Sequence, residues 1–297
     1  MVDRRVAGHP LEHVLGWAEF YGLRIGVDPG VFVPRRRTEF LVRQALALAT
    51  PSLTPQPGTA PTPSGSGPAI PGTTSGTTSG TTSGTTPGTT PGTTPGTTPG
   101  TTPGTTLPRP GTALPPGGPC PAAPTVVVDM CCGTGAVGAA VAAGLTGVAG
   151  VELHAADVDA AAVRCARRNV AVHGGRVHQG DLYRALPDAL RGRVDLLVAS
   201  APYVPTGKIG LLPAEARDHE PMVALDGGAD GLDVVRRVAA EAPGWLAPHG
   251  HLLLETSTRQ APGLARALTR DGLRARAVTD PALEAAVVIA TLPSPAP

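Results

Sequence analysis

From residue 125 onward, the chain alternates between two patterns of apolar residues. Short continuous apolar runs are typical of buried strands, and apolar residues at every third or fourth position are typical of helices. Strict alternation of the two predicts an α/β fold, with a mostly parallel, Rossmann-like sheet covered by helices on both faces. The last two strands have no helix between them, which predicts an antiparallel end strand. The seven predicted strands are 126–130, one that ends at Asp157, 176–181, 194–199, 251–255, 273–278 and 285–292, and the predicted helices are 136–145, one from Asp159 to about residue 172, 232–246 and 262–270.

Residues 1–50 form a second region that is rich in turn signals. Two short extended runs are predicted within residues 17–34, around Gly22 and an Asp-Pro-Gly turn. Thr38 is predicted to cap a helix that ends near residue 50 and keeps its apolar residues on one side. This region therefore predicts a hairpin followed by one helix.

Residues 51–124, between these two regions, are rich in Pro, Gly, Thr and Ser. From Gly72 to Thr106 the chain repeats GTTS and then GTTP in units of four residues. Such a segment has too few apolar side chains to offset the entropy cost of ordering, so we predict a disordered linker. A repeat tolerated in a loop and a glycosylated stalk are both compatible with its composition. The predicted domains are therefore 1–50, 51–124 and 125–297.

Charge and composition narrow the class of protein. The chain has 24 Lys and Arg residues and 23 Asp and Glu residues, a net charge of +1. It therefore lacks the excess of basic residues that would favour a stable nucleic-acid partner. No apolar run reaches the roughly 18 residues of a membrane span, and the N-terminus lacks the apolar core of a signal peptide. The four cysteines form no CxxC pair, and the eight histidines form no metal-binding cluster. We therefore expect a reduced, cytoplasmic protein with no metal and no membrane contact.

The first segment with chemical content is a glycine turn after the first strand of the α/β region. The chain runs Val-Val-Val-Asp-Met-Cys-Cys-Gly-Thr-Gly over residues 126–135. Gly133 and Gly135 would let the backbone approach a ligand, and the N-terminus of the following helix favours an anionic group such as a carboxylate. The spacing is not GxGxxG, which argues against a dinucleotide pyrophosphate and a nicotinamide dehydrogenase. An ordinary strand-to-helix turn is the structural alternative.

Two acidic residues follow the next two strands. Asp157 can accept hydrogen bonds from the two hydroxyls of a ribose, and the alternative role of helix cap falls to Asp159. Asp181 lies in a Gly-Asp-Leu turn, where it can receive an adenine amino group while Leu182 packs on the ring. Taken alone, this turn is equally compatible with a surface loop.

The most informative segment is Ser200-Ala201-Pro202-Tyr203, which follows the predicted strand 194–199. The carboxyl ends of such strands form the ligand crevice of a parallel sheet. An amide nitrogen is a weak nucleophile because its lone pair is delocalised, so a site that methylates it must bind the NH₂ group and aim the nitrogen. Ser200 Oγ and the Ala201 carbonyl can accept hydrogen bonds from that group, and Tyr203 can stack on the amide plane. A cis-proline turn with a packing tyrosine is the alternative interpretation.

Four segments of the chain resemble the HemK/PrmC family of protein-(glutamine-N5) methyltransferases, which act on release factors at the glutamine of a Gly-Gly-Gln motif. The resemblance extends over nearly the whole chain outside the repeat, and its first and fourth segments are specific to this family. The segments are GHPLEHVLG at 8–16 with its continuation to Leu23, PGVFVPR at 29–35 with Thr38 and Glu39, SAPY at 200–203, and PAEARDHEP at 213–221 with ALDGGADGL at 224–232.

The resemblance implies a class I methyltransferase of Rossmann-like fold that uses S-adenosylmethionine (AdoMet) and methylates a glutamine amide nitrogen of a protein, with a release factor as the leading candidate. The turn 131–135 would hold the methionine part of AdoMet, Asp157 its ribose, and Asp181 with Leu182 its adenine. The implied catalytic residues are Ser200, Pro202 and Tyr203, the implied cofactor-binding residues are Asp129, Cys131, Cys132, Gly133, Thr134, Gly135, Asp157, Asp181, Leu182 and Ser200, and the implied substrate-binding residues are Ser200, Ala201, Pro202 and Tyr203.

The chain departs from the family pattern in three ways. Ser200 stands where the family has Asn, Cys131 stands where it has the first glycine of the cofactor turn, and the family's N-terminal helical bundle is almost absent. Two alternatives therefore stay open: an adenine N6-methyltransferase of nucleic acid, which uses a similar Pro-aromatic site, and a catalytically weak AdoMet-binding module. The charged segment 217–220 is expected either near the substrate entrance or in a solvated salt-bridge cluster, with equal weight.

Overall fold

The computed structural model of the chain describes residues 1–49, 123–147 and 150–293. Nearly all of the predicted linker lies outside the described residues, as does the predicted helix end at residue 50. The N-terminal elements are helices α1 (Val2–Val6) and α2 (Leu11–Leu15), strands β1 (Trp17–Phe20) and β2 (Leu23–Gly26), and helix α3 (Glu39–Ala49).

β1 and β2 form an antiparallel hairpin around Gly22, as the turn signals predict. Phe20 pairs with Leu23, so Tyr21 and Gly22 alone form the loop, and their φ angles are both positive (51° and 74°). Two successive positive φ angles are typical of a type I′ turn, whose twist matches that of the paired strands. The Tyr21 N–H donates to Glu39 Oε1 at 3.1 Å, which joins the hairpin to the start of α3.

Thr38 does not cap α3, so that prediction is wrong. Thr38 ends a short 3₁₀ turn, Arg36–Thr38, that leads directly into the helix. The turn supplies its own backbone partners, because the Glu39 N–H donates to the Arg36 carbonyl. The Thr38 hydroxyl is therefore free to donate to Glu255 Oε1 at 3.1 Å, a contact with a distant strand.

Seven strands form the central sheet, and six helices belong to the same region of the described chain. The strands are β3 (Thr125–Met130), β4 (Val151–Asp157), β5 (Arg176–Gln179), β6 (Val194–Ala199), β7 (Leu246–Thr256), β8 (Arg274–Asp280) and β9 (Ala285–Thr291), and the helices are α4 (Ala136–Leu145), α5 (Ala160–Ala171), α6 (Ala214–His219), α7 (Met222–Leu225), α8 (Asp233–Glu241) and α9 (Ala261–Arg270). The strand order is β5-β4-β3-β6-β7-β9-β8. Neighbours from β5 to β7 are parallel, and β9 is antiparallel to both β7 and β8. The predicted α/β class is confirmed, and the antiparallel strand is the last one in the chain, one position in from the sheet edge.

Two apolar cores cover the two faces of this sheet. On one face, Val128 and Leu197 pack in a cluster with α8, α9 and Trp245. On the other face, Val127 and Leu253 pack in a cluster with α3, α4 and the hairpin. Residues 1–49 therefore belong to the same packed unit as the sheet.

The predicted helix 232–246 extends too far at its C-terminal end, because residues 242–246 are not α-helical. α8 ends at Glu241, a 3₁₀ turn follows, and Leu246 already belongs to β7. Pro243 has no N–H to donate and Gly244 has low helix propensity, so the helix ends before them. Trp245 and Leu246 are fully buried in the sheet core, and their apolar character extended the helical pattern beyond its real end.

Among the helices of the described residues, none combines the length and the apolar character that a membrane span requires. The same part of the chain contains no group of three or more His, Cys, Asp or Glu side chains arranged to hold a metal ion.

Candidate active site

A cavity of about 280 Å³ lies at the carboxyl ends of β3, β4 and β6, and we call it the first cavity. Ligands bind at this edge in open parallel sheets. Side chains that the sequence analysis did not predict as site residues complete its wall, among them Phe32, Val223, Ala224 and Arg237. The predicted site residues in the wall are Cys131, Gly133, Asp157, Asp181, Leu182, Ser200 and Pro202.

The glycine turn after β3 contains three residues with positive φ: Cys131 (58°), Gly133 (53°) and Gly135 (75°). Gly133 lines the first cavity, and a Cβ atom there would meet no atom within 4 Å. At Gly135 a Cβ atom would lie only 2.7 Å from Val170 Cγ2 on α5. The sequence predicts the same ligand-facing role for both glycines. In the structure, Gly133 leaves space beside the cavity and Gly135 lets α4 pack closely against α5.

Beneath the turn lies a smaller cavity of about 30 Å³, whose wall includes Asp129, Cys131, Cys132, Gly133 and Thr134. Asp129 is buried, and its Oδ2 accepts a hydrogen bond from the Gly138 N–H at 2.8 Å, which holds the first turn of α4. Burial raises the pKa of Asp129 to about 7, and this hydrogen bond opposes the shift. Burial also raises the pKa of the Cys131 and Cys132 thiols, so both stay protonated and act as small packing side chains.

Asp157 ends β4 and lines the first cavity. Its Oδ2 accepts from the Gly133 N–H at 2.8 Å, and its Oδ1 accepts from the Asp159 N–H at 2.9 Å. Burial raises the pKa of this carboxyl, and the two hydrogen bonds oppose the shift. A carboxylate has about four acceptor positions, so two remain for ligand hydroxyls. Asp159 caps α5 as predicted, because it accepts from the Ala161 N–H at 2.9 Å.

The turn after β5 brings Asp181 and Leu182 into the wall of the first cavity. Arg237 on α8 lines the same cavity and forms an ion pair with Asp181, with 2.6 Å between Nη2 and Oδ2. Both side chains are about half exposed, so this pair contributes at most about 1 kcal/mol. The sequence gives no signal for Arg237 beyond its place on the polar side of a helix. The Asp181 carboxylate is therefore partly engaged before any ligand binds.

A second cavity of about 480 Å³ adjoins the first. The whole Ser-Ala-Pro-Tyr segment, 200–203, lies in its wall. Phe32, Ala224, Ser200 and Pro202 belong to the walls of both cavities. A group bound in one cavity therefore meets a group bound in the other beside Ser200 and Pro202. This arrangement suits transfer of a small group between two bound molecules.

Glu255, at the end of β7, lies in the wall of the second cavity and is only 3% exposed. Three hydroxyls contact its carboxylate: Ser200 Oγ at 2.8 Å, Thr38 Oγ1 at 3.1 Å and Tyr203 OH at 3.4 Å. Arg37 Nε lies 3.9 Å from Oε1. Burial raises the pKa of Glu255, while the hydrogen bonds and Arg37 oppose the shift. Sequence reasoning missed this residue.

A signal for Glu255 was nevertheless available. It follows the apolar run Leu-Leu-Leu, 252–254, at the carboxyl end of a buried strand. A single acidic residue at that position points to the ligand edge of a parallel sheet, and the same reasoning picks out Asp157. Phe32 lines all three cavities but lies in an irregular loop, where no periodic pattern marks it.

The charged segment 217–220 was predicted either near the substrate entrance or in a solvated salt-bridge cluster, and its residues are divided between these two environments. Glu220 is buried and accepts from Arg35 Nη2 at 2.6 Å, which ties the segment to the N-terminal region beside the second cavity. Burial raises the pKa of Glu220, and Arg35 opposes the shift. Arg217 and Asp218, in contrast, form an exposed ion pair. The segment thus combines one buried anchor with a solvated pair.

The chemistry of the first cavity fits AdoMet. Asp157 and Asp181 follow successive strands, where a nucleoside would offer hydroxyl and amino donors. Leu182 adds an apolar surface, and Gly133 leaves open space beside the wall. The fold and the two adjoining cavities define a Rossmann-like, AdoMet-dependent methyltransferase, and residues 120–211 match the model of the methyltransferase small domain family.

Comparison with individual proteins defines the family. The release factor glutamine methyltransferase of Geobacter sulfurreducens is 30% identical over 276 residues, which cover 92% of this chain and 69% of that protein. The chain belongs to the family of release factor glutamine methyltransferases, as its motifs predict. The 4-amino-L-phenylalanine/4-methylamino-L-phenylalanine methyltransferase of Streptomyces pristinaespiralis is 31% identical, with 91% of this chain and 69% of that protein covered. The ribosomal protein uL3 glutamine methyltransferase of Bordetella pertussis is 46% identical over 132 residues, 43% of this chain and 42% of that protein.

Proposed function

We propose that the chain methylates the side-chain amide nitrogen of a glutamine in a protein, with the Gly-Gly-Gln glutamine of a release factor as the leading candidate. The observation that carries the proposal is the junction of the two cavities at Ser200 and Pro202. AdoMet, bound in the first cavity, supplies an electrophilic methyl group carried on a sulfonium. The second cavity then has to hold the acceptor so that its nitrogen faces that methyl group.

On the cofactor side, the acidic residues of the first cavity bind and orient. Asp157 uses its two remaining acceptor positions for the ribose hydroxyls, and the Gly133 and Asp159 N–H groups keep its carboxylate in place. Asp181 accepts from the adenine amino group while Leu182 packs against the ring. The turn 131–135 surrounds the methionine part.

On the acceptor side, the Ser-Ala-Pro-Tyr segment positions the amide. Ser200 Oγ and the Ala201 carbonyl accept hydrogen bonds from the NH₂ group, and Tyr203 stacks on the amide plane. Pro202 fixes the backbone between Ala201 and Tyr203 because its φ is restricted. Burial raises the pKa of Tyr203, so its ring remains a neutral phenol. Holding the nitrogen in line with the methyl group can supply a large part of the rate enhancement.

The surroundings of the second cavity support a macromolecular acceptor. Leu211 and Met222 are exposed (76% and 51%) in the segments that flank the cavity residues Leu212 and Ala224. Contiguous apolar surface beside a site marks contacts with another protein, and under this proposal Leu211 and Met222 belong to such a surface. The names of the relatives in G. sulfurreducens and B. pertussis, which give a release factor and ribosomal protein uL3 as acceptors, support the same conclusion.

A second candidate is methylation of a primary aromatic amine on a small molecule. The relative in S. pristinaespiralis, named for 4-amino-L-phenylalanine, is as similar to this chain as the release factor enzyme is. Arg37 lies over the Tyr203 ring, with 5.6 Å between the guanidinium carbon and the ring centroid. An aromatic amino acid could place its ring against Tyr203 and its carboxylate near Arg37, with its amine at Ser200.

Mass spectrometry distinguishes the two candidates. The protein is incubated with AdoMet and, separately, with the release factors of its host, ribosomal protein uL3 and 4-amino-L-phenylalanine. We expect a methyl-sized mass gain on the Gly-Gly-Gln glutamine. A gain on the amino acid alone would favour the small-molecule function. No gain on any acceptor, with AdoMet binding confirmed by calorimetry, would contradict both.

Two substitutions at one position provide the matched control. Tyr203→Ala removes the stacking ring, and we expect it to slow methylation roughly 100-fold, the usual cost of a misplaced acceptor. Tyr203→Phe keeps the ring and loses only the hydroxyl contact of 3.4 Å to Glu255, so most activity should remain. Equal activity in Tyr203→Ala and wild type would remove Tyr203 from the acceptor site.

A further inference from the structure

The second cavity contains a buried carboxylate whose partners all belong to that cavity. Ser200, Thr38, Tyr203 and Arg37, which surround Glu255, line the second cavity as well. The hydrogen-bonding network is therefore directed at the acceptor site rather than at the packing of the sheet.

The chemistry of this network fixes the direction of the Ser200 hydroxyl. An ionised carboxylate accepts hydrogen bonds and donates none. In the ionised state of Glu255, Ser200 Oγ is therefore the donor to Glu255 Oε2, at 2.8 Å. With its proton directed at Glu255, the oxygen keeps its two lone pairs for other donors. Ser200 lies at the junction of the cavities, so an NH₂ group bound there can donate to it.

A purely structural role does not account for Glu255. Burying a carboxylate destabilises a fold unless the carboxylate is well paired, and an apolar residue of similar size is often no less stable. The nearest cation, Arg37, is 46% exposed and 3.9 Å away, so it compensates only partly. The hydroxyl partners of Glu255 therefore provide most of its pairing, and they all line the acceptor cavity.

We propose that Ser200 and Glu255 form a proton relay that accepts the proton released by the acceptor nitrogen, an inference that rests on the proposed function. As the nitrogen–methyl bond forms and the sulfur–methyl bond breaks, the nitrogen loses a proton to Ser200 Oγ. The Ser200 proton passes at the same time to Glu255 Oε2. Glu255 acts through Ser200 and is a positioning residue that also stores the proton, which later leaves to solvent through the second cavity.

Atoms and charges balance in this step. Methyl transfer turns the positive sulfonium into a neutral thioether, and protonation turns the negative Glu255 into a neutral acid. The methylated nitrogen ends neutral, and no further acid, base or redox partner is required. The relay uses the hydroxyl of Ser200, which can take up one proton from the nitrogen while it gives another to Glu255.

A double-mutant cycle tests the relay on the full-length protein with a release factor as acceptor. Glu255→Gln keeps the size of the side chain but removes its capacity to take a proton. We expect it to lower kcat about 100-fold, the usual size of a proton-transfer contribution, while KM changes far less. In the Ser200→Ala background, the same substitution should lower kcat by less than about twofold, because residues that act as one unit are not additive.

Controls separate this result from a structural effect. Glu19→Gln, at an exposed position on β1, is the matched substitution, and thermal unfolding and AdoMet affinity are measured for every variant. If Glu255→Gln fails to fold, the test is the rate of single-turnover methyl transfer in heavy water compared with ordinary water, measured for wild type and for Ser200→Ala. A slower rate in wild type but not in Ser200→Ala supports the relay, and an unchanged wild-type rate overturns it.

The remaining outcomes are also decisive. Equal losses from Glu255→Gln in both backgrounds, or no loss in the protein that retains Ser200, would overturn the relay while leaving the proposed function intact. A wild-type protein that methylates no acceptor would overturn the proposed function and the relay with it.

Discussion

Alanine substitutions at Gly133 and Gly135 separate the ligand-facing part of the cofactor turn from its packing part. Both glycines have positive φ angles (53° and 75°), so alanine costs about 1–2 kcal/mol at either position. Only Gly135 adds a steric clash, because its new Cβ would lie 2.7 Å from Val170 Cγ2 and 3.2 Å from Ala166 Cβ. Both substitutions therefore carry the cost of the positive φ angle, and only Gly135→Ala carries the cost of the clash as well.

The magnitudes follow from these contacts. Overpacking of a well-packed interior costs about 1–3 kcal/mol. We therefore expect Gly135→Ala to lower the free energy of unfolding by about 2–5 kcal/mol, and Gly133→Ala by about 1–2 kcal/mol. For a folded unit of this size, each kcal/mol corresponds to roughly 2–4 °C in Tm.

Urea unfolding followed by circular dichroism measures the stability difference, and calorimetry measures AdoMet affinity. Gly133 lines the first cavity, so Gly133→Ala should lose more AdoMet affinity for each kcal/mol of stability that it loses. A Gly135→Ala protein as stable as Gly133→Ala would refute the packing argument. Equal ratios of affinity loss to stability loss would refute the assignment of separate roles.

Three other changes test the site and the fold. Burial raises the pKa of Asp129 from 3.8 to about 7. Between pH 3.8 and about pH 7 the carboxyl is therefore protonated in the native state and ionised in the unfolded chain. The fold loses stability as the pH rises through this window. Asp129→Asn removes this titration, so the stability of the variant relative to wild type, measured by urea unfolding, should rise by up to about 4 kcal/mol as the pH crosses the window. A stability difference that stays constant with pH would contradict the burial argument. Asp157→Asn should weaken AdoMet binding about 10- to 100-fold, the cost of losing a charged hydrogen-bond partner, and an unchanged calorimetric Kd would remove Asp157 from the cofactor site. Deletion of residues 55–120 should leave AdoMet affinity unchanged, because the chain enters β3 after this segment at Thr125 and the first cavity lies at the other end of that strand. A large loss of affinity would contradict this prediction.

Local patterns were enough to predict the sheet and one side of the site. Alternation of apolar runs with helical periodicity is a property of short segments, so the strands and most helices follow from it. Asp157 was recognised because it ends a buried strand, and the Ser-Ala-Pro-Tyr segment because it directly follows one. The topology of a parallel sheet brings such positions to one edge.

Long-range contacts set the limit of prediction from sequence. Thr38 has the local appearance of a helix cap, but its hydroxyl contacts a residue 217 positions later. Gly135 looks like a ligand-facing glycine, and only the neighbouring helix shows that Val170 occupies the space beside it. In both cases the local signal is real, and a contact with another part of the fold determines which role it takes.

The arrangement of the second cavity explains how one family can serve different acceptors. Its inner end is built from buried contacts, with Glu255 bound by Ser200 and Thr38, and under the proposed function it holds a nitrogen that carries hydrogens. A glutamine amide and an aromatic amine share that nitrogen, and they differ in everything that lies beyond it. The exposed residues beside the cavity, Leu211 and Met222, can change without loss of buried packing. Selection for a new acceptor should therefore act at the outer end and leave the inner end, and the AdoMet affinity, unchanged.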